Sequence, residues 1–198
     1  MDNTVGSLTQ LQKSVIIGSI LGDGYVRIVS GRKDAFLEIN HSIKAKDYVD
    51  WKYSVLKNIC KSPPEMRIID NKRTAYRFFT RQHPEITNLL FKFYKNGKKI
   101  IPSDLKLDSI ILAVWFMDDG SKSRKFDVYL NSQQFSLPDQ KKLLNNLRQS
   151  GLKTRLNKDK KYYRIRFLKE SIGKLNQMID FYIIPSMRYK LSYNPVET

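Results

Sequence analysis

The chain has 198 residues, 41% of them hydrophobic and 12% aromatic, which is the make-up of a folded protein and not of a disordered tail. Its 36 Lys+Arg against 19 Asp+Glu give a net charge of +17, pointing to a nucleic acid partner ahead of an anionic membrane. A single cysteine, Cys60, excludes a disulfide framework and a Cys-based zinc cluster, and His41 and His83 are too widely separated for metal-ligand spacing.

The charge is spread evenly: residues 1–105 carry a balance of +8 and residues 106–198 a balance of +9. A basic tail would have made the halves unequal, so one long polyanion touched by both halves is expected. The longest apolar run, Ile110 to Met117, is far too short to span a bilayer. No charged-then-apolar segment with a cleavage site opens the chain. With the cysteine usage, this gives an expected intracellular setting, either a bacterial or archaeal cytoplasm or an organelle.

In chain order, Leu8 to Leu21 has apolar residues at Leu8, Leu11, Val15, Ile16, Ile17, Ile20 and Leu21, the spacing of a helix with one broad buried face. It stops at Gly22-Asp23-Gly24. Tyr25–Ser30 and Ala35–Asn40 alternate around Gly-Arg-Lys-Asp and predict a hairpin. A helix over Ala45–Cys60 ends before Pro63-Pro64. A second hairpin pairs Met66–Ile69 with Thr74–Thr80 across residues 70–73, and a helix over Pro84–Tyr94 closes at Asn96-Gly97. The second half repeats this order. A helix over Ser109–Met117 stops at Asp118-Asp119-Gly120, and Phe126–Gln133 alternates with Val128 and Leu130 on one face. The partner strand around Ser121–Lys125 is short and weakly marked. A helix from Ser136 to Gln149, strands Leu152–Asn157 and Tyr162–Leu168, and a helix over Glu170–Tyr182 complete the copy.

The chain therefore predicts an α+β fold of two repeats, 1–105 and 106–198, each helix–hairpin–helix–hairpin–helix. Asp23 and Asp119 fall at matching positions, 96 residues apart. An isolated Asp-Gly after an apolar stretch is ordinarily a turn leaving the core. A pair kept in the same context is not expected by chance. Carboxylates at a helix C-terminus also oppose the helix dipole, so a positive group is expected beside them.

Hairpins rich in Arg, Lys, Asn, Gln and Tyr on one alternating face form ribbons suited to a DNA major groove. In the first half the candidates are Arg27, Glu38, Asn40, Arg67, Arg73 and Arg77, with Arg32 and Lys33 at a turn. In the second they are Lys122, Asp127, Tyr129, Asn131, Gln133, Lys153, Arg155, Asn157, Tyr162, Arg164 and Arg166. Because the halves differ, the DNA site should be long and not a perfect palindrome.

Ile16–Gly24 (IIGSILGDG) and Leu112–Gly120 (LAVWFMDDG) lie without a gap over the nine-residue motif of the LAGLIDADG homing endonucleases, and the chain resembles that family in its single-chain, two-repeat form. The resemblance implies a monomer with the two motif helices packed on a pseudo-twofold axis, saddle-shaped antiparallel sheets on the DNA, and helix-end acids at one active centre. Gly18 and Gly22, four apart on one helical face, would allow close approach. Val114 and Asp118 stand at the corresponding places of the second motif, where Ala113 still offers one small contact.

By motif position the implied catalytic pair is Asp23 and Asp119. Asp118 and the backbone at Gly22 would support a metal, and Lys99 and Lys190 would be basic residues lining the centre. Oxygen-only ligation suits Mg²⁺, with Mn²⁺ as a substitute, and not zinc. The implied activity is a site-specific double-strand break that promotes intron or intein mobility. An RNA maturase assisting intron splicing, or a regulator that binds DNA without cutting, are the alternatives on the same fold.

Overall fold

Thr9 starts the first helix by a reciprocal cap. Its hydroxyl accepts from the Gln12 N–H, and the Gln12 side chain returns to the Thr9 N–H. Such a capping box stabilises a helix start by about 1 kcal/mol. A computed structural model describes residues 6–70, 73–124 and 127–192 of the chain, with the side chains of 69, 70 and 73 also outside the description. These residues fall into two compact units, 1–92 and 93–198.

In the first unit, helix α1 (Gln10–Leu21) is followed by strands β1 (Tyr25–Arg27) and β2 (Phe36–Ser42), helix α2 (Lys46–Leu56), strands β3 (Glu65–Asp70) and β4 (Arg73–Phe79), and helix α3 (Pro84–Phe93). The four strands form one antiparallel sheet in the order β1-β2-β4-β3. Its core face carries Val26, Leu37, Ile39 and Phe78, all buried against α1 and α2. The hairpin turn between β3 and β4 lies outside the described residues.

The second unit holds a short ribbon of β5 (Tyr94–Lys95) and β6 (Lys98–Lys99), then helix α4 (Ser109–Asp119), strands β7 (Gly120–Arg124) and β8 (Asp127–Leu130), helix α5 (Leu137–Gln149), strands β9 (Thr154–Asp159) and β10 (Tyr162–Phe167), and helix α6 (Lys169–Ile179). The sheet order β7-β8-β10-β9 reproduces that of the first unit. The expected α+β architecture with antiparallel sheets is thus observed.

Several details differ from the sequence reading. The first hairpin is shorter on one side, because β1 ends at Arg27 and Gly31, at φ 76°, begins the turn. Leu11, counted in the buried face of α1, is 44% exposed, while Gln12 replaces it in the core by bonding Val55 O and Asn58 Oδ1. Helix α4 runs two residues past Met117 and so includes both acids. The weakly marked strand is real: β7 pairs Gly120 with Leu130, Ser121 with Tyr129 and Lys122 with Val128. The strand opposite it ends at Leu130, so Asn131 and Gln133 sit in the following loop.

The segment from residue 93 to 105 clusters with the second compact unit, where it is bound to α5. The Ile101 N–H donates to Asp139 Oδ1 at 3.2 Å, and Lys142 donates to the Ile101 carbonyl at 2.8 Å. Ile101 and Leu105 are buried. Among the described residues no helix is long and apolar enough to cross a membrane.

Candidate functional site

Each motif helix ends in a constriction that fixes its acid. At α1 the Gly22 N–H closes the last turn onto Gly18 O, and the Gly24 N–H bonds Ser19 O at 2.7 Å. A Cβ on Gly24 would lie 2.8 Å from that same carbonyl oxygen. At α4 the Gly120 N–H bonds Phe116 O, and a Cβ there would meet this oxygen at 2.3 Å. Neither turn has room for a side chain, so each helix hands over to its first strand along the same tight path.

Asp23, held in the first of these turns, has a side chain 53% exposed, with Oδ2 3.7 Å from Nδ1 of His41. His41 comes from the core-facing side of β2, and its ring packs 5.4 Å from that of Tyr48. In the sequence His41 stands out only as a histidine too far from His83 for metal-ligand spacing. Nothing in linear spacing links positions 23 and 41; only the register of β2 brings them together.

At α4 the carboxylate of Asp119 is oriented from two sides. Its Oδ2 accepts from the indole N–H of Trp115, one turn earlier, at 3.2 Å and from Gln134 Nε2 at 3.4 Å. Trp115 is fully buried, so its single donor needs an internal acceptor. The positive group expected beside these acids is Lys190: its ammonium donates to the carbonyls of Met117 and, at 3.1 Å, Asp118. A cation on the last carbonyls offsets the helix-end field by about 0.3–1 kcal/mol. Asp118 therefore lies beside the same lysine through its backbone. Lys99 is on β6, in the second unit, opposite Tyr94.

Taken one helix end at a time, the donors among the described residues are carboxylate oxygens, with the His41 imidazole beside Asp23. Carboxylate oxygens suit Mg²⁺ or Mn²⁺, and the negative end of each helix favours a cation.

The sheets place the other candidates. In the first unit Arg27, Glu38, Asn40, Arg67 and Arg77 share the face opposite the core, as the pairing of Asn40 with Arg77 and of Arg67 with Ala75 requires. Arg32 and Lys33 are exposed in the β1–β2 turn. The Arg73 side chain lies outside the described residues. In the second unit Asp127, Tyr129, Arg155, Asn157, Tyr162, Arg164 and Arg166 share one face through the pairs Arg166–Tyr129, Arg166–Arg155 and Arg164–Asn157.

Four candidates sit elsewhere. Lys122 pairs with Val128, on the core-facing side of the register, and donates to the Leu191 carbonyl at 2.8 Å. Asn131 bonds the Asp119 carbonyl through its N–H and the Ser121 hydroxyl through its side chain. Lys153 precedes β9 and faces Glu170 at 3.8 Å. Tyr129, read as outward, is only 6% exposed because the Arg164 guanidinium lies 4.0 Å above its ring. Gln133 is half-buried in its loop.

A family model described as the LAGLIDADG DNA endonuclease family matches residues 13–175. A probable intron-encoded endonuclease 1 of Wickerhamomyces canadensis is 31% identical over 95% of this chain and 87% of its own length. The cytochrome b mRNA maturase bI2 of Saccharomyces cerevisiae is 29% identical over 96% of this chain, which spans 49% of that protein. The solved structure of the homing endonuclease I-WcaI bound to its DNA recognition sequence matches with a TM-score of 0.88 at 28% identity, covering 96% of this chain and 90% of that one. With a motif helix in each unit and the repeated sheet order, these matches show that the chain belongs to the LAGLIDADG DNA endonuclease family.

Proposed function

We propose that the protein is a site-specific homing endonuclease that makes a double-strand break in a long, non-palindromic DNA target, acting as a monomer. One observation carries this reading. Both motif helices end in an acid fixed by a glycine turn that has no room for a side chain, within a family of DNA endonucleases. Residues 1–105 and 106–198 are taken as the two repeats.

In this reading Asp23 and Asp119 are the acids of the reaction, supported by Asp118 and the Gly22 backbone. Divalent cations at such acids would activate water and stabilise charge on the attacking and leaving oxygens. The chain's own residues supply the positioning. Trp115 and Gln134 direct the Asp119 carboxylate, and Lys190 holds the end of α4 while placing positive charge near it. Lys99 is assigned to the same centre by its place in the motif order. The outer sheet faces bind duplex DNA, with Arg, Asn and Tyr side chains toward the groove. The setting proposed is intracellular, and the break promotes mobility of the intron or intein that encodes the protein.

The similarity to a maturase favours one second reading, that intron RNA is also bound. Purified protein is incubated with a plasmid carrying the joined sequences that flank its gene, with Mg²⁺ or with EDTA. A linear product with Mg²⁺ alone is expected. Tight retention of intron RNA with no cutting of this duplex would overturn the endonuclease reading in favour of the maturase.

A further inference from the structure

The outer sheet faces are not simply positive. Among the described residues, four arginines on them are each held by a carboxylate of the same face: Arg27 by Glu38 at 3.3 Å, Arg77 by Glu65 at 3.1 Å, Arg164 by Asp159 at 3.6 Å, and Arg166 by Asp127. Three are also backed by a ring, Arg27 by Phe36 at 5.2 Å, Arg77 by Phe79 at 5.1 Å and Arg164 by Tyr129 at 4.0 Å. The same device is thus built on two sheets that share little sequence.

Stability does not account for it. Partly exposed ion pairs contribute little to folding. The Nε atoms of Arg77, Arg164 and Arg166 are buried without a hydrogen bond, which is a cost. A protein selecting only for DNA affinity would also omit the acids, because each cancels a charge that could meet a phosphate.

Resting on the DNA-binding reading above, we propose that these four arginine–carboxylate pairs read base edges, and that their acids keep the arginines away from phosphates. An unrestrained arginine swings to the nearest phosphate and binds every sequence alike. One clamped by a carboxylate, and in three of the four cases also by a ring, cannot do so without losing those contacts. It still has guanidinium donors to offer the O6 and N7 of guanine, and its acid can accept from the N4 amino group of cytosine. Where the register is wrong and the acid faces an acceptor such as guanine O6, thymine O4 or a phosphate, it is repelled, which penalises mismatched sites. Spacing agrees with reading along a groove. Arg164 and Arg166 are two residues apart on one face of β10, about 7 Å along the strand, or about two base-pair steps.

The test compares wild type with Glu38→Gln, Asp127→Asn and, as an unclamped cation, the exposed Arg155→Gln. Each is equilibrated with a randomised duplex library for sequence preference and with a fixed random duplex at 50 and 200 mM salt; thermal melting checks folding. Freeing one arginine should steepen the salt dependence of random-duplex binding by about 0.9 in log–log slope, roughly a 3.5-fold larger loss between those salts. Each acid-to-amide variant should also lose about fivefold or more of its preference at one or two adjacent base pairs. Arg155→Gln should flatten the slope and leave sequence preference unchanged.

Unchanged slopes, or steeper slopes with full sequence preference, would overturn the proposal, since the acids would then only balance charge. If wild type itself enriches no sequence, the endonuclease reading falls, and the role of the pairs with it. That failure is visible before any variant is measured.

Discussion

Gly120→Ala should be among the most damaging single-methyl additions in this chain, although nothing in its backbone demands glycine. Its dihedrals, φ −67° and ψ 138°, are ordinary extended values open to any residue. The constraint is room. The added Cβ would lie 2.3 Å from the Phe116 carbonyl oxygen and 2.8 Å from two atoms of the Phe116 ring, and Phe116 is fully buried. Neither neighbour is the free end of a flexible side chain, so the α4 terminus must move. Overpacking of a rigid core costs about 1–3 kcal/mol, and a backbone clash belongs at the upper end. At about 2–4 °C per kcal/mol for a chain this long, the melting temperature should fall by roughly 6–12 °C. Gly173→Ala is the matched control. It lies inside α6, nothing stands within 4 Å of its Cβ, and removing a helix-interior glycine should stabilise by about 0.5–1 kcal/mol. Calorimetry on both variants reads the contrast. A Gly120→Ala protein that melts with wild type would refute the steric account of the motif ending.

Three further outcomes follow from the geometry. Trp115→Phe keeps the ring packing of α4 but removes the donor to Asp119; melting should drop by only a few degrees, while cleavage should fall tenfold or more, about 1.4 kcal/mol in the barrier. Burial pushes the Asp139 carboxyl up, but hydrogen bonds from Ser136, Lys142 and the Ile101 N–H outweigh it and hold the group below its ordinary value of 3.8. Its contribution is complete above that value and is lost as pH falls through the depressed native one, so Asp139→Asn should cost roughly 2 kcal/mol at neutral pH and flatten the acid limb of a stability–pH curve measured by urea titration. Burial pushes the Cys60 thiol up to about 12, so iodoacetamide at neutral pH should label it only in urea, as mass spectrometry of native and unfolded samples would show.

What could be read in the chain beforehand was what local chemistry writes into it. The apolar spacing of Val15, Ile16, Ile20 and Leu21, Ser136 at the head of α5, and the alternation of Tyr162–Phe167 marked elements correctly because helix starts and buried faces are decided within a few residues. Strand register was less accessible. Lys122 looked like part of a basic face, yet its pairing with Val128 turns it to the other side. Tyr129 is on the expected face but is covered by Arg164, a contact across two strands. The arginine–carboxylate pairs join positions 5 to 39 residues apart in the chain and depend on strand pairing, so a sequence reading counted each acid and each arginine separately. Lys190 was found through motif likeness; its grip on the Met117 and Asp118 carbonyls spans more than 70 residues and has no local signal. His41 near Asp23 was missed for the same reason.

The central claim is that Asp23 and Asp119 carry out double-strand cleavage while the sheets hold the DNA. It is tested most directly by measuring binding and cutting of one target by wild type, Asp23→Asn and Asp119→Asn side by side. Gel retardation and plasmid linearisation in Mg²⁺ give both quantities from the same preparations. The account predicts that both variants bind the target as tightly as wild type or tighter and yield no linear product. Double-strand cleavage at an undiminished rate by either variant would contradict it.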